Sequence, residues 1–267
     1  MGPVKLYLGC ALVILVYLST ISLLNIYGTK TTSSANIDNL TMQKLLADYQ
    51  NWNLNVTADN FPDANLGISG SNCVIRTDSV NFLLDPYGKP TMPVQTCKIK
   101  SGTSLFFPFL LGWCDTASKG YYGKTSYPEL LDCALKSDKG IISMEALLDK
   151  NKIIDIQVDN TNFNKSRILN PNLAVKENYH EIITPSLFNL TISKNTRMPS
   201  DSYEHPEEFE SKPVIYKAAA QCFCGYVGNL TAGNHELVYK TTIKGSQGTS
   251  VGSQDQITTI VYNLNVQ

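Results

Sequence analysis

The chain has 267 residues, 43% of them apolar and only 17% charged, so it is long enough to bury one substantial core or two small ones. Lys and Arg number 22 against 23 Asp and Glu, for a net charge of −1. That balance, with no clustering of basic residues on one face, excludes an electrostatic nucleic-acid binder.

Residues 1–5 form a short N-terminus, expected on the cytoplasmic side. The run from Leu6 to Tyr27, LYLGCALVILVYLSTISLLNIY, contains no charged residue. As a helix it would extend roughly 33 Å at ~1.5 Å per residue, enough to cross a bilayer. It is longer than the apolar core of a typical signal peptide, and no small-x-small cleavage site closes it. The expectation is a transmembrane signal anchor at 6–27, with secretion after cleavage as the alternative. Residues 28–36, ending in TKTTSSAN, are small and polar and read as a stalk.

The segment 37–69 reads as an amphipathic helix and a linker. Met42, Leu45, Leu46, Tyr49 and Trp52 recur at helical spacing and make one apolar face. Docking onto the main domain is the expected fate of that face. From residue 70 to 267 the pattern is one of strands. NCVIRT and VNFLL lead to a turn at Asp85-Pro-Tyr-Gly88. A single helix interrupts, with Ser126-Tyr-Pro-Glu129 in capping-box spacing, Leu130, Cys133 and Ala134 on one face, and Gly140 as a stop. Met144, Ala146 and Leu148 alternate with Ser143, Glu145 and Leu147. DKNK and the IIDIQV run follow, so 143–158 reads as a β-hairpin whose first arm could also be helical. Phe188, Leu190 and Ile192 share one strand face, with Asn189 and Thr191 on the other. The C-terminus holds two further alternating strands, 237–244 and 260–266, joined by a Gly/Ser/Gln-rich loop at 245–254. The fold class expected is mainly β: an antiparallel β-sandwich, Ig-like or jelly-roll-like, with one or two short helices, preceded by the transmembrane helix.

Six of the seven cysteines lie outside the apolar span, and five Asn-x-Ser/Thr sequons occur, at Asn39, Asn55, Asn164, Asn189 and Asn229. An even cysteine count and candidate glycosylation sites suit an oxidising compartment. They place residues 30–267 outside the cell membrane, crossed once with the N-terminus inside. The expected partners are the membrane, through residues 6–27, and an envelope protein or a glycan.

Several ordered motifs carry a resemblance. They are a Cys-x-Ile-x-x-Gly strand entry from Cys97, the Phe106-Phe107-Pro108 run ending at Cys114, and Leu130-Leu-Asp-Cys-Ala134. Leu187-Phe-Asn-Leu-Thr191 and Leu230-x-x-Gly233-x-His235 follow. Over residues 73–267 the chain resembles a family of uncharacterised extracytoplasmic β-rich proteins of ammonia-oxidising archaea. The Trp-rich segment that precedes the first cysteine in that family is reduced here to Tyr49 and Trp52. The resemblance implies an exported β domain with four shared cysteines, Cys73, Cys97, Cys114 and Cys133, and brings no activity. Two disulfides between sequence neighbours, Cys73–Cys97 and Cys114–Cys133, are the economical pairing, although six cysteines allow many others.

Cys222 and Cys224 stand outside that shared pattern. In a regular strand they would lie roughly 6.6 Å apart on one face, too far to bridge each other unless Gly225 marks a bulge. Two same-face thiolates with His235 would suit copper or zinc. A third disulfide, or buried thiols, is the competing reading. The Phe-rich run at 106–113 could line a groove, but fits a buried central strand better. The loop 193–213 carries Glu207, Glu208 and Glu210 and could serve a carbohydrate-active enzyme; a solvated charge run is the plainer reading. No phosphate loop, nucleophile elbow or zinc-protease motif is present. The function expected is binding or structure at the cell envelope, leaning away from catalysis. The alternatives are the metal protein and the glycan-acting enzyme.

Overall fold

The computed structural model describes residues 38–55, 74–76, 79–83, 94–136, 140–159, 167–168, 178–194, 196, 198, 200–244 and 255–267. The chain divides into two units, 1–33 and 34–267, and every described residue belongs to the second. The transmembrane segment expected at 6–27, the stalk and the turn at 85–88 lie outside the described residues. Among the described residues no helix is long and apolar enough to cross a membrane.

The chain opens with helix α1 (Asn39–Asn55). The Asp38 carboxylate caps it, accepting the Thr41 backbone N–H and hydroxyl, each at 2.8 Å. Those bonds hold the Asp38 carboxyl below its ordinary pKa. The strands that follow are β1 (Val74–Arg76), β2 (Val80–Leu83), β3 (Gln95–Ile99) and β4 (Ser104–Asp115). After helix α2 (Tyr127–Leu135) come β5 (Ile141–Leu148), β6 (Asn151–Asp159), β7 (Arg167–Ile168), β8 (Tyr179–Ile183) and β9 (Phe188–Ile192). The long strands β10 (Val214–Val227), β11 (Gly233–Ile243) and β12 (Gln256–Val266) finish the domain.

Among the described residues these strands form two six-stranded sheets. The first has the order β1-β2-β4-β10-β8, with β9 also on β10; the second runs β3-β12-β11-β5-β6-β7. The mainly β expectation holds, as do the 143–158 hairpin, with β5 a strand along its whole length, and the C-terminal strand pair. The purely antiparallel expectation does not hold. β2 runs parallel to β4, and β3 runs parallel to β12. The cause is the short turn at 100–103, which carries the chain from the second sheet into the first. β2 and β4 therefore become parallel neighbours joined through a strand of the other sheet, the kind of long connection that parallel pairs require.

The main core lies between the sheets. Leu105, Phe107, Phe109, Phe223 and Val227 of the first sheet meet Met144, Ile154, Leu237, Tyr239, Tyr262 and Leu264 of the second. Strands β4 and β10 are almost wholly buried because the opposite face of the first sheet is covered too. There α1 lays Met42, Leu45, Leu46 and Tyr49 onto Phe82, Phe106, Ala220 and Cys222. The helix docks on the domain, as its apolar face predicts. The aromatic run at 106–113 is likewise a central strand and not a groove wall.

α1 also completes β9. The Asn51 side chain donates to the Asn189 carbonyl at 2.9 Å and accepts the Thr191 N–H at 2.9 Å. One turn later Asn55 donates to the Thr191 carbonyl at 3.0 Å and accepts the Ser193 hydroxyl at 3.3 Å. Two side-chain amides thus occupy backbone groups that an edge strand would otherwise leave open to another chain.

Helix α2 begins after Ser126 and carries Pro near its first turn, as expected, but the Ser126 side chain makes no capping bond. The Tyr127 hydroxyl instead donates to the Thr184 carbonyl and ties the helix to the end of β8. Cys133 on α2 is bonded to Cys114 on β4, the pairing expected between neighbours.

Candidate functional site

A groove of about 520 Å³ opens at one end of the second sheet. Its wall is the two-residue turn between β5 and β6. Asp149 and Lys150 both take left-handed backbone conformations, φ 51° and 66°, as a tight hairpin of this type demands. Neither is glycine, and Lys150 pays a conformational cost in that region. Asp149 offsets it by bonding to β11. Its N–H donates to the Glu236 carbonyl at 2.8 Å, and its Oδ1 accepts the Glu236 N–H at 2.9 Å. Its Oδ2 lies 2.7 Å from His235 Nδ1. The other ring nitrogen, Nε2, lies 3.0 Å from the Thr231 carbonyl. Both nitrogens of His235 therefore face acceptors, and the ring clamps the β5–β6 turn to the approach to β11.

Leu264, from the core face, and five polar residues, Asn234, Glu236, Asn263, Asn265 and Thr96, complete the lining. The five polar residues come from three adjacent strands, and their side chains lie on the face turned away from the main core. Sequence reading misses this set. Asp149 and His235 are 86 positions apart, and the only local signal is the density of asparagine in strands that otherwise alternate cleanly.

The structure does not bring Cys222, Cys224 and His235 together. The two sulfurs are bonded to each other. They sit wholly buried beneath α1, while His235 belongs to the other sheet. The regular-strand argument fails because the chain contracts locally: the two Cα atoms are 5.4 Å apart. Pairing against β4 shifts between Phe223 and Cys224, which face Leu110 and Pro108 and leave Phe109 as the extra residue. The irregularity thus belongs to β4, beside a proline that has no N–H to give, and not to Gly225. Across from Cys224 stands His180. Its imidazole packs edge-on to Tyr226, and burial holds its pKa below the ordinary value. Among the described residues no three of His, Cys, Asp and Glu are grouped to hold a metal. Cys97 is disulfide-bonded; Cys73 lies outside the described residues.

The loop at 193–213 is better anchored than a solvated charge run. It carries two short 3-10 turns, Ser200–Ser202 and Pro206–Phe209. Glu208 accepts the Tyr122 hydroxyl at 2.5 Å and the Tyr216 hydroxyl at 2.7 Å. Glu207 pairs with His205 at 3.0 Å, and His205 packs edge-on to Tyr122. Glu207 and Glu210 are exposed, so the three acids do not converge on a cleft. The Tyr122 and Tyr216 hydroxyls hold the Glu208 carboxyl below its ordinary pKa. Burial first, then Glu208, drives the Tyr216 hydroxyl well above its usual range.

A folded-state pKa lowered in this way gives stability that is present above the unfolded value and lost as pH falls through the folded one. Glu208→Gln should therefore speed hydrogen exchange at the Glu204 and Lys119 amides, which bond Ala117 and Ser202 across the loop contact. The native protein should approach the variant as pH drops below the ordinary carboxylate range, after correction for intrinsic exchange. Equal protection in both proteins at neutral pH would show that Glu208 does not hold the loop.

The five sequons are not equivalent. Asn39, Asn189 and Asn229 are exposed, and Asn164 lies outside the described residues. The Asn55 amide nitrogen, the atom a glycan would join, donates to both the Asn51 and Thr191 carbonyls.

No protein-family model matches the chain, and no curated protein matches it. Among solved structures, a mutant of the CFA/I enterotoxigenic E. coli adhesin CfaE aligns at 17% identity and a TM-score of 0.14, over 62% of this chain and 36% of that one. CfaE, the adhesive subunit of CFA/I fimbria of enterotoxigenic Escherichia coli, aligns at 16% identity and a TM-score of 0.12, over 62% and 37%. The chain thus spans little more than a third of the length of those structures. Similarity at this level carries no argument about fold or function.

Proposed function

We propose that this chain is a membrane-anchored extracytoplasmic binding domain, held by residues 6–27 and presenting the polar groove beside His235. In this reading its two sheets form a β-sandwich with the groove at one end. Oxidised cysteines at Cys97, Cys114, Cys133, Cys222 and Cys224 support a compartment outside the cytoplasm. The resemblance to exported archaeal β-rich proteins points the same way.

The observation that carries the binding reading is the structural use of the Asp149–His235 pair. Asp149 Oδ1 accepts the Glu236 N–H, its Oδ2 meets His235 Nδ1, and His235 Nε2 meets the Thr231 carbonyl, so the pair fixes the groove wall. Glu236 and Lys150 stand in the lining beside it. What the groove offers a ligand is a set of amides, one carboxylate and one ammonium, fixed on a rigid sheet.

The test uses the full chain in right-side-out membrane vesicles. Protease added outside should remove the β domain, and a thiol-reactive label should enter its cysteines only after reductant is added. A domain protected from external protease, or labelled without reductant, would overturn the reading.

A further inference from the structure

The outer face of the second sheet at the groove carries a two-by-three grid of side chains. Asn263 on β12 pairs with Thr96 on β3 and with Glu236 on β11. Two residues on, Asn265 pairs with Lys98 and with Asn234. Cross-strand partners share a face, so these six side chains point the same way. Strands lie about 4.8 Å apart and alternate residues about 6.6 Å apart, so the grid covers roughly 10 by 7 Å. That matches the footprint of one or two sugar rings.

Folding alone does not account for this composition. Asparagine is a poor strand former, and a solvated strand face is better served by threonine or β-branched residues. Yet asparagine occupies three of the six positions, while the buried faces of the same strands follow the expected pattern, with Leu237, Tyr262, Leu264 and Val266 in the core. Local disagreement between residue type and element marks places where something other than folding sets the residue.

The chemistry of the grid is specific. Each asparagine amide offers donors and an acceptor, the complement of a hydroxyl that both donates and accepts. Asn265 Nδ2 already donates to Asn234 Oδ1 at 3.2 Å, which orients that pair of amides. Glu236 and Lys98 bring opposite charges to opposite corners, so the surface has no net charge to select an ion. It has no aromatic ring on which to stack a planar ligand.

We infer that this grid binds a neutral polyhydroxylated ligand, a glycan residue, through paired amide–hydroxyl hydrogen bonds. The inference rests on the binding reading above and gives it a ligand class. A shallow, open surface of this kind implies weak single-site affinity that gains from repeated display.

The test is a titration of the full chain in detergent, followed by the backbone amide signals of 234–236 and 263–265. The probes are neutral saccharides (glucose, maltose, cellobiose and a mannobiose) and, as a separate arm, acidic uronate disaccharides. At least one neutral saccharide should shift these signals at millimolar concentration. An Asn263→Thr/Asn265→Thr variant should weaken that binding at least about tenfold. The same variant should melt no lower than the native protein, because threonine is the better strand former. A purely structural role for the asparagines predicts the reverse, with lower melting and unchanged binding. Response to the uronates alone would overturn the neutral-ligand inference and leave the binding reading standing. No response to any saccharide, or equal binding by the variant, would overturn the inference, while the vesicle experiment separately decides the anchored reading.

Discussion

Gly225→Ala is expected to destabilise the domain by about 3 kcal/mol, near the upper end of overpacking costs. A Cβ at this position would lie 2.2 Å from Phe107 Cζ and 2.3 Å from Cε2. The backbone there is not in the left-handed region, so the glycine serves space and not conformation. Phe107 stands directly across the strand pair, and its ring lies over the glycine. It has nowhere to go. It is wholly buried, with Phe109 at 5.6 Å and Tyr239 at 5.0 Å, in the middle of the core between the sheets.

The control that identifies the cause is Phe107→Ala. Alone it should cost about 3–5 kcal/mol through the cavity it leaves. In that background the clashing atoms are gone, and Gly225→Ala should become neutral or slightly stabilising, because alanine loses less backbone entropy than glycine on folding. Urea unfolding of the four proteins measures the coupling directly. A glycine-to-alanine cost that stays the same without the Phe107 ring would show that the steric account is wrong.

This pair also shows where sequence reading reaches its limit. Hydrophobic alternation locates strands that have one wet face, and so β5, β6, β9, β11 and β12 are legible, as is the apolar stripe of α1. β10 is different. Ala218 to Val227 is buried at every position, because a second sheet covers one side and α1 helps to cover the other, and a doubly covered strand shows no period. Gly225 then suggests a bulge, when its role is set by a residue more than a hundred positions earlier. The same holds for the parallel partners of β2 and β3. The Cys-x-Ile-x-x-Gly motif marks a strand entry at Cys97 but cannot say that this strand pairs with the C-terminal strand of the chain. At the candidate site, His235 is visible as a lone histidine. Its partner Asp149 reads only as a turn residue, so copper or zinc is suggested where the chain builds a clamp. The Cys222–Cys224 bridge escapes an ideal-strand argument because β10 contracts there to a Cα separation of 5.4 Å, where its pairing with β4 shifts register.

Tyr49→Ala should cost about 3–5 kcal/mol, the range for deleting a large buried aromatic side chain, and the loss should fall on the whole domain. Tyr49 is fully buried between α1 and the first sheet, with Trp52, Phe82 and Phe106 at 5.4, 5.5 and 5.5 Å. Its hydroxyl donates to the Leu83 carbonyl at 3.0 Å, at the end of β2. Tyr49→Phe keeps the ring and removes the hydroxyl with its bond to Leu83, for about 1 kcal/mol. The helix is not an accessory on a finished sheet: Asn51 and Asn55 hold the edge of β9, and the residues beneath Tyr49 include strands that face the main core on their other side. Unfolding of α1 and of the sheets should therefore be one transition. In a Trp113→Phe background Trp52 is the sole tryptophan and reports on the helix, while far-ultraviolet circular dichroism reports mainly on the sheets. The two signals should move together in the parent and shift together to lower denaturant in Tyr49→Ala. If Trp52 moved first while the sheet signal kept its midpoint, α1 would be a separable lid, and the face it covers would be open to another partner.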